Sequence, residues 1–211
     1  MGHKFKALIS ALKTCPIVPV LTLDDIELAA SLAVALQASG LTVIEITLRT
    51  PQALTSIKLM KAAAPGLFIG AGTILTPKDV QASLDAGSDF LVTPAISSTL
   101  LPALKTAPVP VFPGVATPSE ALEVYTNGFE YVKFFPAEAN GGVAALKAMG
   151  GPLPHITFMP TGGINAASAP DYLALKNVIA VGGSWMIDKQ ALIARNFEQI
   201  KASAKRAIAT L

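Results

Sequence analysis

The sequence predicts an α/β protein built as a compact (β/α)8 barrel, the TIM-barrel arrangement, with one extra helix in front. Two observations carry that prediction. Short apolar, β-branched runs alternate with longer helical runs from one end of the chain to the other. Eight strand–helix units can be read within its 211 residues. Strands separated by helices pair in parallel through right-handed crossovers, and eight such units read as a closed barrel. The runner-up, an open doubly wound sheet, is disfavoured because no Gly-x-Gly-x-x-Gly fingerprint follows an early strand. No linker-like or low-complexity stretch interrupts the pattern, so residues 1–211 read as a single domain.

The elements follow in order. Residues 4–13 read as a helix, with Phe5, Leu8, Ile9 and Leu12 at helical spacing. The run 16–21 is a buried strand, and Thr22 or Asp24 can cap the next helix, which stops at Gly40. The run 42–48 is the second strand, and a helix begins near Pro51, a favourable first helical residue. Further strands read at 67–71, 89–93, 109–112, 130–135, 155–160 and 178–182. The matching helices read at 52–64, 77–86, 97–106, 117–127, 141–149, 167–175 and 190–210. Thr76-Pro77, Thr117-Pro118 and Asn165 mark helix starts, and Gly87 and Gly128 mark helix ends.

Composition narrows the function classes. The chain is 52% hydrophobic and 14% charged, which excludes disorder and leaves surface for burial in an oligomer. A net charge of +2 without any basic run gives no nucleic-acid footprint. One cysteine, Cys15, excludes an internal disulfide framework and fits a reducing compartment. The start, Met1-Gly-His-Lys-Phe-Lys6, is basic but lacks the apolar region of a signal peptide, and no run is long enough to span a bilayer. The expected location is the cytoplasm, with no membrane association. Metal chemistry is disfavoured: His3 and His155 are the only histidines, and no His/Cys/Asp/Glu cluster has ligand spacing.

In a barrel, function collects at the C-terminal ends of the strands. Lys133 lies inside the apolar run Tyr131-Val-Lys-Phe-Phe135, the one lysine so flanked on a strand. A buried ammonium is costly, and a desolvated lysine amine can attack a carbonyl to form a Schiff base. The bland alternative is a strand-edge lysine that snorkels to water. On the second strand Ile44, Ile46 and Leu48 share one face, and Val43, Glu45, Thr47 and Arg49 the other. With the apolar face against the helices, Glu45 points inward, where a carboxylate either pairs with Arg49 or Lys133 or serves as an acid/base. Arg49 sits roughly 13 Å farther along an extended strand and must lean back to reach the same site. It is the natural bidentate partner for a substrate carboxylate, since Arg195 and Arg206 fall on the last helix.

Gly70-Ala-Gly-Thr73 after the third strand permits close backbone approach, or is simply a tight turn. Thr93-Pro94 closes the fourth strand and Pro113-Gly114 the fifth. Thr161-Gly-Gly-Ile-Asn165 and Gly182-Gly-Ser184 follow the last two strands, the usual phosphate site of this barrel.

These motifs resemble a known family along nearly the whole chain: the 2-keto-3-deoxy-6-phosphogluconate (KDPG) aldolases, also active as 4-hydroxy-2-oxoglutarate (KHG) aldolases. The resemblance is carried by Val43-Ile-Glu-Ile-Thr-Leu-Arg-Thr50, Gly70-Ala-Gly-Thr73, Val132-Lys-Phe-Phe-Pro-Ala-Glu-Ala-Asn-Gly-Gly142, Pro160-Thr-Gly-Gly-Ile164 and Gly182-Gly-Ser-Trp185. It implies that Lys133 is the Schiff-base lysine and Glu45 the proton shuttle. Arg49 and Thr73 match carboxylate-binding positions, Pro94 a pocket wall, and Gly162, Gly163, Gly183 and Ser184 a phosphate cradle. Thr161 is a candidate for bonding one hydroxyl epimer. It further implies a metal-independent class I aldolase with no cofactor, a homotrimer, and a place in the Entner–Doudoroff pathway. The expected reaction is cleavage of KDPG to pyruvate and glyceraldehyde 3-phosphate, with side activity on 4-hydroxy-2-oxoglutarate. The nearest rival is the 2-keto-3-deoxy-6-phosphogalactonate aldolase. A thiamin-phosphate synthase-like transferase and a catalytically silent trimeric scaffold are more distant ones.

Overall fold

The computed structural model describes residues 2–211, so Met1, the first residue of the basic start, lies outside the described residues. The elements run α1 (His3–Thr14), β1 (Ile17–Leu21), a single turn (Ile26–Leu28), α2 (Ala29–Ala38), β2 (Val43–Thr47), α3 (Ala53–Ala63), β3 (Phe68–Gly72), α4 (Pro77–Asp85), β4 (Phe90–Val92) and α5 (Leu101–Thr106). They continue with β5 (Val111–Phe112), β6 (Gly114–Val115), α6 (Pro118–Thr126), β7 (Tyr131–Phe134), α7 (Gly142–Gly150), β8 (Thr157–Pro160), α8 (Ala169–Leu173), β9 (Val181–Gly183), α9 (Lys189–Ile193) and α10 (Phe197–Ala209). All pairings are parallel, in the orders β5-β4-β3-β2-β1-β9 and β6-β7-β8. Single bridges, Phe158 to Val178 and Thr161 to Gly182, join the β8 region to the chain around β9. The result is a curled parallel sheet with helices outside it.

Curling divides the apolar residues into two cores. Ile44, Ile46, Ile69 and Leu91 face outward against Leu32, Ile57 and other helix residues. Val18, Val43, Phe90, Val92, Phe112 and Met159 form a second cluster with Leu8, Ile9 and Leu12 of α1. The front helix thus closes the N-terminal end of the strands by packing onto their inner faces. Phe112 meets both Phe90 and Tyr131 edge-on, at centroid distances of 6.0 and 6.4 Å.

Local chemistry explains where the elements begin. Thr76 and Thr117 each accept from the third backbone N–H of their helix while Asp79 and Glu120 reach back, two complete capping boxes ahead of Pro77 and Pro118. Other boundaries depart from the sequence reading. Neither Thr22 nor Asp24 caps α2, which has no side-chain cap; Asp25 caps the single turn that leads into it, accepting from Glu27 N–H. The hydroxyl of Thr22 is instead 2.8 Å from that of Thr47. Pro113 does not end the fifth strand but splits it into β5 and β6, because proline has no N–H for the ladder. Its carbonyl still accepts from Lys133 N–H at 2.9 Å.

The expected single helix 190–210 is two helices. Arg195 takes a left-handed φ of 53° and its guanidinium binds Asp25 and Glu27 at 2.8 and 2.9 Å, after which Asn196 caps α10. Arg195 is therefore a tether between the two ends of the chain, not a residue of the last helix. The last strand also lies later than expected: Gly182 and Gly183 pair with Val18 and Pro19, so the Gly-Gly pair is inside the strand rather than after it.

Leu8 is 1% exposed within the inner cluster. Leu8→Ala should therefore lower the unfolding free energy by about 2–5 kcal/mol, read by urea denaturation. A loss below about 1 kcal/mol would mean that α1 rests on the strands without being part of their core.

Candidate active site

β2 and β7 are not neighbours in either sheet, yet their inward side chains meet. Lys133 Nζ donates to Glu45 Oε1 at 3.0 Å and lies 3.3 Å from Oε2. The two side chains are 6% and 1% exposed. Burying both charges is offset only by close geometry and further polar contact. Lys133 Nζ also stands 5.3 Å from the centroid of the Phe135 ring, a cation–π distance. Of the two partners open to Glu45 in the sequence reading, the structure selects Lys133.

The glycines of β3 make this pair possible. A Cβ on Gly72 would fall on the Glu45 carboxylate, and one on Gly70 would enter the Phe90 ring. The close approach expected at 70–73 is therefore made by the protein's own side chains. Thr73, next in the chain, holds a φ of 61°, which is uncommon for a non-glycine residue and marks a locally strained site. Its hydroxyl accepts from Arg49 Nε at 3.2 Å. Arg49 is exposed, and among the described residues no carboxylate lies within ion-pair reach of it.

Arg49 lines a cavity of about 600 Å³ together with Phe135, Thr161, Gly162, Gly163 and Ser184. Gly183 also borders it, with the Trp185 ring occupying the space where a Gly183 side chain would stand. Thr161 is 5% exposed, and its hydroxyl has no partner among the described residues. That oxygen packs against Gly182, in the space a side chain there would take.

The backbone beyond Thr161 is set by two bonds from the loop after β7. Ala137 N–H donates to Thr161 C=O at 2.8 Å, and Glu138 N–H donates to Gly162 C=O at 3.0 Å. In a trans peptide the C=O and the following N–H point in opposite directions. The N–H groups of Gly162 and Gly163 therefore face away from that loop, and that of Gly162 turns toward the Gly182 carbonyl across the Thr161–Gly182 bridge. Both glycines have positive φ, 108° and 82°, which a side chain would resist.

Pro94 stands apart from this cavity. Its backbone packs where a Cβ on Gly114 would be, and Gly114 is the register partner of Lys133. Sequence reasoning missed Lys189, which lines the cavity from the start of α9. The signal was there: Asp188 is a helix cap, accepting from Gln190 and Ala191 N–H. It also missed Tyr172, whose buried hydroxyl donates to Glu138 at 2.8 Å. Burial pushes the Tyr172 phenol well above its ordinary value, and the adjoining carboxylate adds to that. Among the described residues no group of three His, Cys, Asp or Glu side chains is placed to hold a metal ion. No helix there is long and apolar enough to cross a membrane.

Residues 8–203 match the family described as KDPG and KHG aldolase. The KHG/KDPG aldolase of Escherichia coli (strain K12) is 42% identical over 199 residues, covering 94% of this chain and 93% of that one. Among solved structures, the KDPG aldolase from Legionella pneumophila, with pyruvate captured at low pH as a covalent carbinolamine intermediate, matches with a TM-score of 0.90 and 39% identity over 94% of this chain and 97% of that one. The 2-keto-3-deoxy-6-phosphogluconate aldolase of Zymomonas mobilis ZM4 with 3-phosphoglycerate matches at 0.89 and 40% identity, over 96% and 95%.

Removing one member of a buried ion pair strands the other. Lys133→Met should destabilise the fold by about 3–5 kcal/mol in urea denaturation, and adding Glu45→Gln should recover part of that loss. A single variant as stable as the parent would contradict a buried, mutually dependent pair.

Proposed function

The chain belongs to the KDPG and KHG aldolase family, and on that premise we propose that it is a class I aldolase cleaving KDPG to pyruvate and glyceraldehyde 3-phosphate. Activity on 4-hydroxy-2-oxoglutarate accompanies it. The observation that carries the reading is the buried Lys133–Glu45 pair, whose lysine stands 5.3 Å from the ring centroid of Phe135, a residue that lines the cavity shared by Arg49, Gly162 and Gly163.

The roles follow from placement. Lys133 passes a proton to Glu45 along their hydrogen bond and attacks the C2 carbonyl of the substrate, giving a carbinolamine. Loss of water, assisted by the protonated Glu45, leaves an iminium. Glu45 then takes the proton of the C4 hydroxyl, the C3–C4 bond breaks, and its electrons pass into the iminium to form an enamine. Glyceraldehyde 3-phosphate departs. Glu45 returns a proton to C3 through water, and hydrolysis frees pyruvate and Lys133. No cofactor is required, because the iminium is the electron sink.

Arg49, steadied by Thr73, holds the substrate carboxylate beside the iminium. Gly163 donates to the 6-phosphate, with Gly162, Gly183 and Ser184 completing the cradle. Pro94 forms wall on the Lys133 side. Thr161, whose hydroxyl is buried without a partner among the described residues, is the candidate to bond the substrate C4 oxygen. Because that hydroxyl can both donate and accept, the galactonate-series epimer is the second reading, decided by assaying both sugar acids.

The same reading closes the two sheets into one (β/α)8 barrel with an extra N-terminal helix, residues 1–211 forming a single domain. Support comes from the bond between Lys133 N–H and Pro113 C=O and from the bridges between β8 and the β9 segment. A cytoplasmic homotrimer in the Entner–Doudoroff pathway completes the proposal. Its low charge content and exposed Val34 and Leu122 fit burial between copies.

Borohydride reduction in the presence of pyruvate should place a pyruvate-derived adduct on Lys133, found by intact mass and peptide mapping. A folded chain without adduct would remove the nucleophile and leave the phosphate-binding transferase or the silent scaffold. In steady-state assays Lys133→Ala should abolish cleavage of KDPG, and activity at the parent level would reject the assignment.

A further inference from the structure

Tyr172 and Glu138 take no part in the chemistry described, yet they meet at the back of the Gly162–Gly163 turn. Glu138 begins the single turn Glu138–Asn140 that follows β7, and Tyr172 lies in α8, the helix that follows the Gly162–Gly163 loop. Tyr172 is fully buried and its hydroxyl donates to Glu138 Oε1 at 2.8 Å. Glycine makes room on both sides: a Cβ on Gly163 would lie 2.6 Å from Glu138 Cγ, and one on Gly142 would lie 3.0 Å from the Tyr172 oxygen. Asn165 joins the loop to α8 by accepting from Ala167 and Ser168 N–H at 2.9 and 3.2 Å.

These contacts form a closed circuit. The Glu138 backbone holds the Gly162 carbonyl, the loop runs through Asn165 into α8, and Tyr172 returns from α8 to the Glu138 side chain. A peptide whose carbonyl is held has its N–H direction held too. The circuit also restrains the Glu138 side chain, whose Cβ and Cγ pack against Gly163, and with it the direction of its carboxylate. A free carboxylate there would repel a phosphate dianion.

We infer that Tyr172 and Glu138 are positioning residues for the anion site: they aim the Gly163 N–H group and keep the Glu138 carboxylate turned away from the phosphate. The inference rests on the proposed aldolase reading and deepens it. It predicts a defect confined to phosphorylated substrate. A general packing role would instead weaken all substrates alike.

The test compares kcat and KM for KDPG and for unphosphorylated 2-keto-3-deoxygluconate in the parent, Tyr172→Phe, Glu138→Ala and Glu138→Gln. Tyr172→Phe and Glu138→Ala should raise KM for KDPG roughly tenfold, the scale of one lost hydrogen bond, with kcat held within about twofold. Their kcat/KM for the unphosphorylated acid should not move. Glu138→Gln keeps an acceptor for the Tyr172 hydroxyl and removes the charge, so it should behave as the parent. Inorganic phosphate, as a competitive inhibitor, should lose affinity in the two defective variants only. Equal losses on both substrates, or none on either, overturn the inference. If Tyr172→Phe does not fold, Glu138→Ala decides the question by the same comparison. A parent chain that turns over neither substrate overturns the aldolase reading itself, which the variants alone would not do.

Discussion

Two opposite charges buried face to face impose most of what surrounds them. Lys133 and Glu45 come from strands that share no ladder, so they meet only because the sheet curls. A flat sheet would leave each in search of another partner. The pair then dictates small residues nearby. Gly72 yields its side-chain space to the Glu45 carboxylate, and Gly70, one pleat earlier, yields to Phe90 of the inner core. The segment that begins as a site feature is thus the joint between an ionic layer and an apolar layer beneath it.

The alternating β2 strand made much of this legible. Ile44 and Ile46 announced the outer face, which left Glu45 facing inward, and the apolar setting of Lys133 marked the other partner. The helix starts at Thr76 and Thr117 were equally plain, because a capping box is a local pattern that needs no tertiary information. What stayed hidden was decided by distant partners. Arg195 breaks an otherwise continuous helical run by reaching Asp25 and Glu27, some 170 positions earlier in the chain. Tyr172 stood out in no pattern of the sequence, and only its placement beside Glu138 gives its hydroxyl a purpose.

The glycine-rich loops show the same limit in finer detail. Position along the chain marked both Gly-Gly pairs alike, but their neighbours differ. Gly162 and Gly163 are left-handed, and the carbonyls just before them are held by the loop after β7. Gly182 and Gly183 lie in β9 and clear space for the Thr161 side chain and the Trp185 ring. One pair of glycines shapes a backbone and the other makes room for side chains, a difference that a string of letters does not carry.

The plug formed by α1 bears on traffic. Leu8, Ile9 and Leu12 fill the strand interior together with Phe90 and Phe112, at the end of the strands away from the cavity lined by Arg49, Gly162 and Ser184. On the proposed reaction, the half of the substrate bonded to Lys133 is the inner one and the phosphorylated half the outer. Entry and exit then work as a last-in, first-out queue. The aldehyde must clear the doorway before pyruvate can follow, and in the synthetic direction an aldehyde that arrives first bars the way.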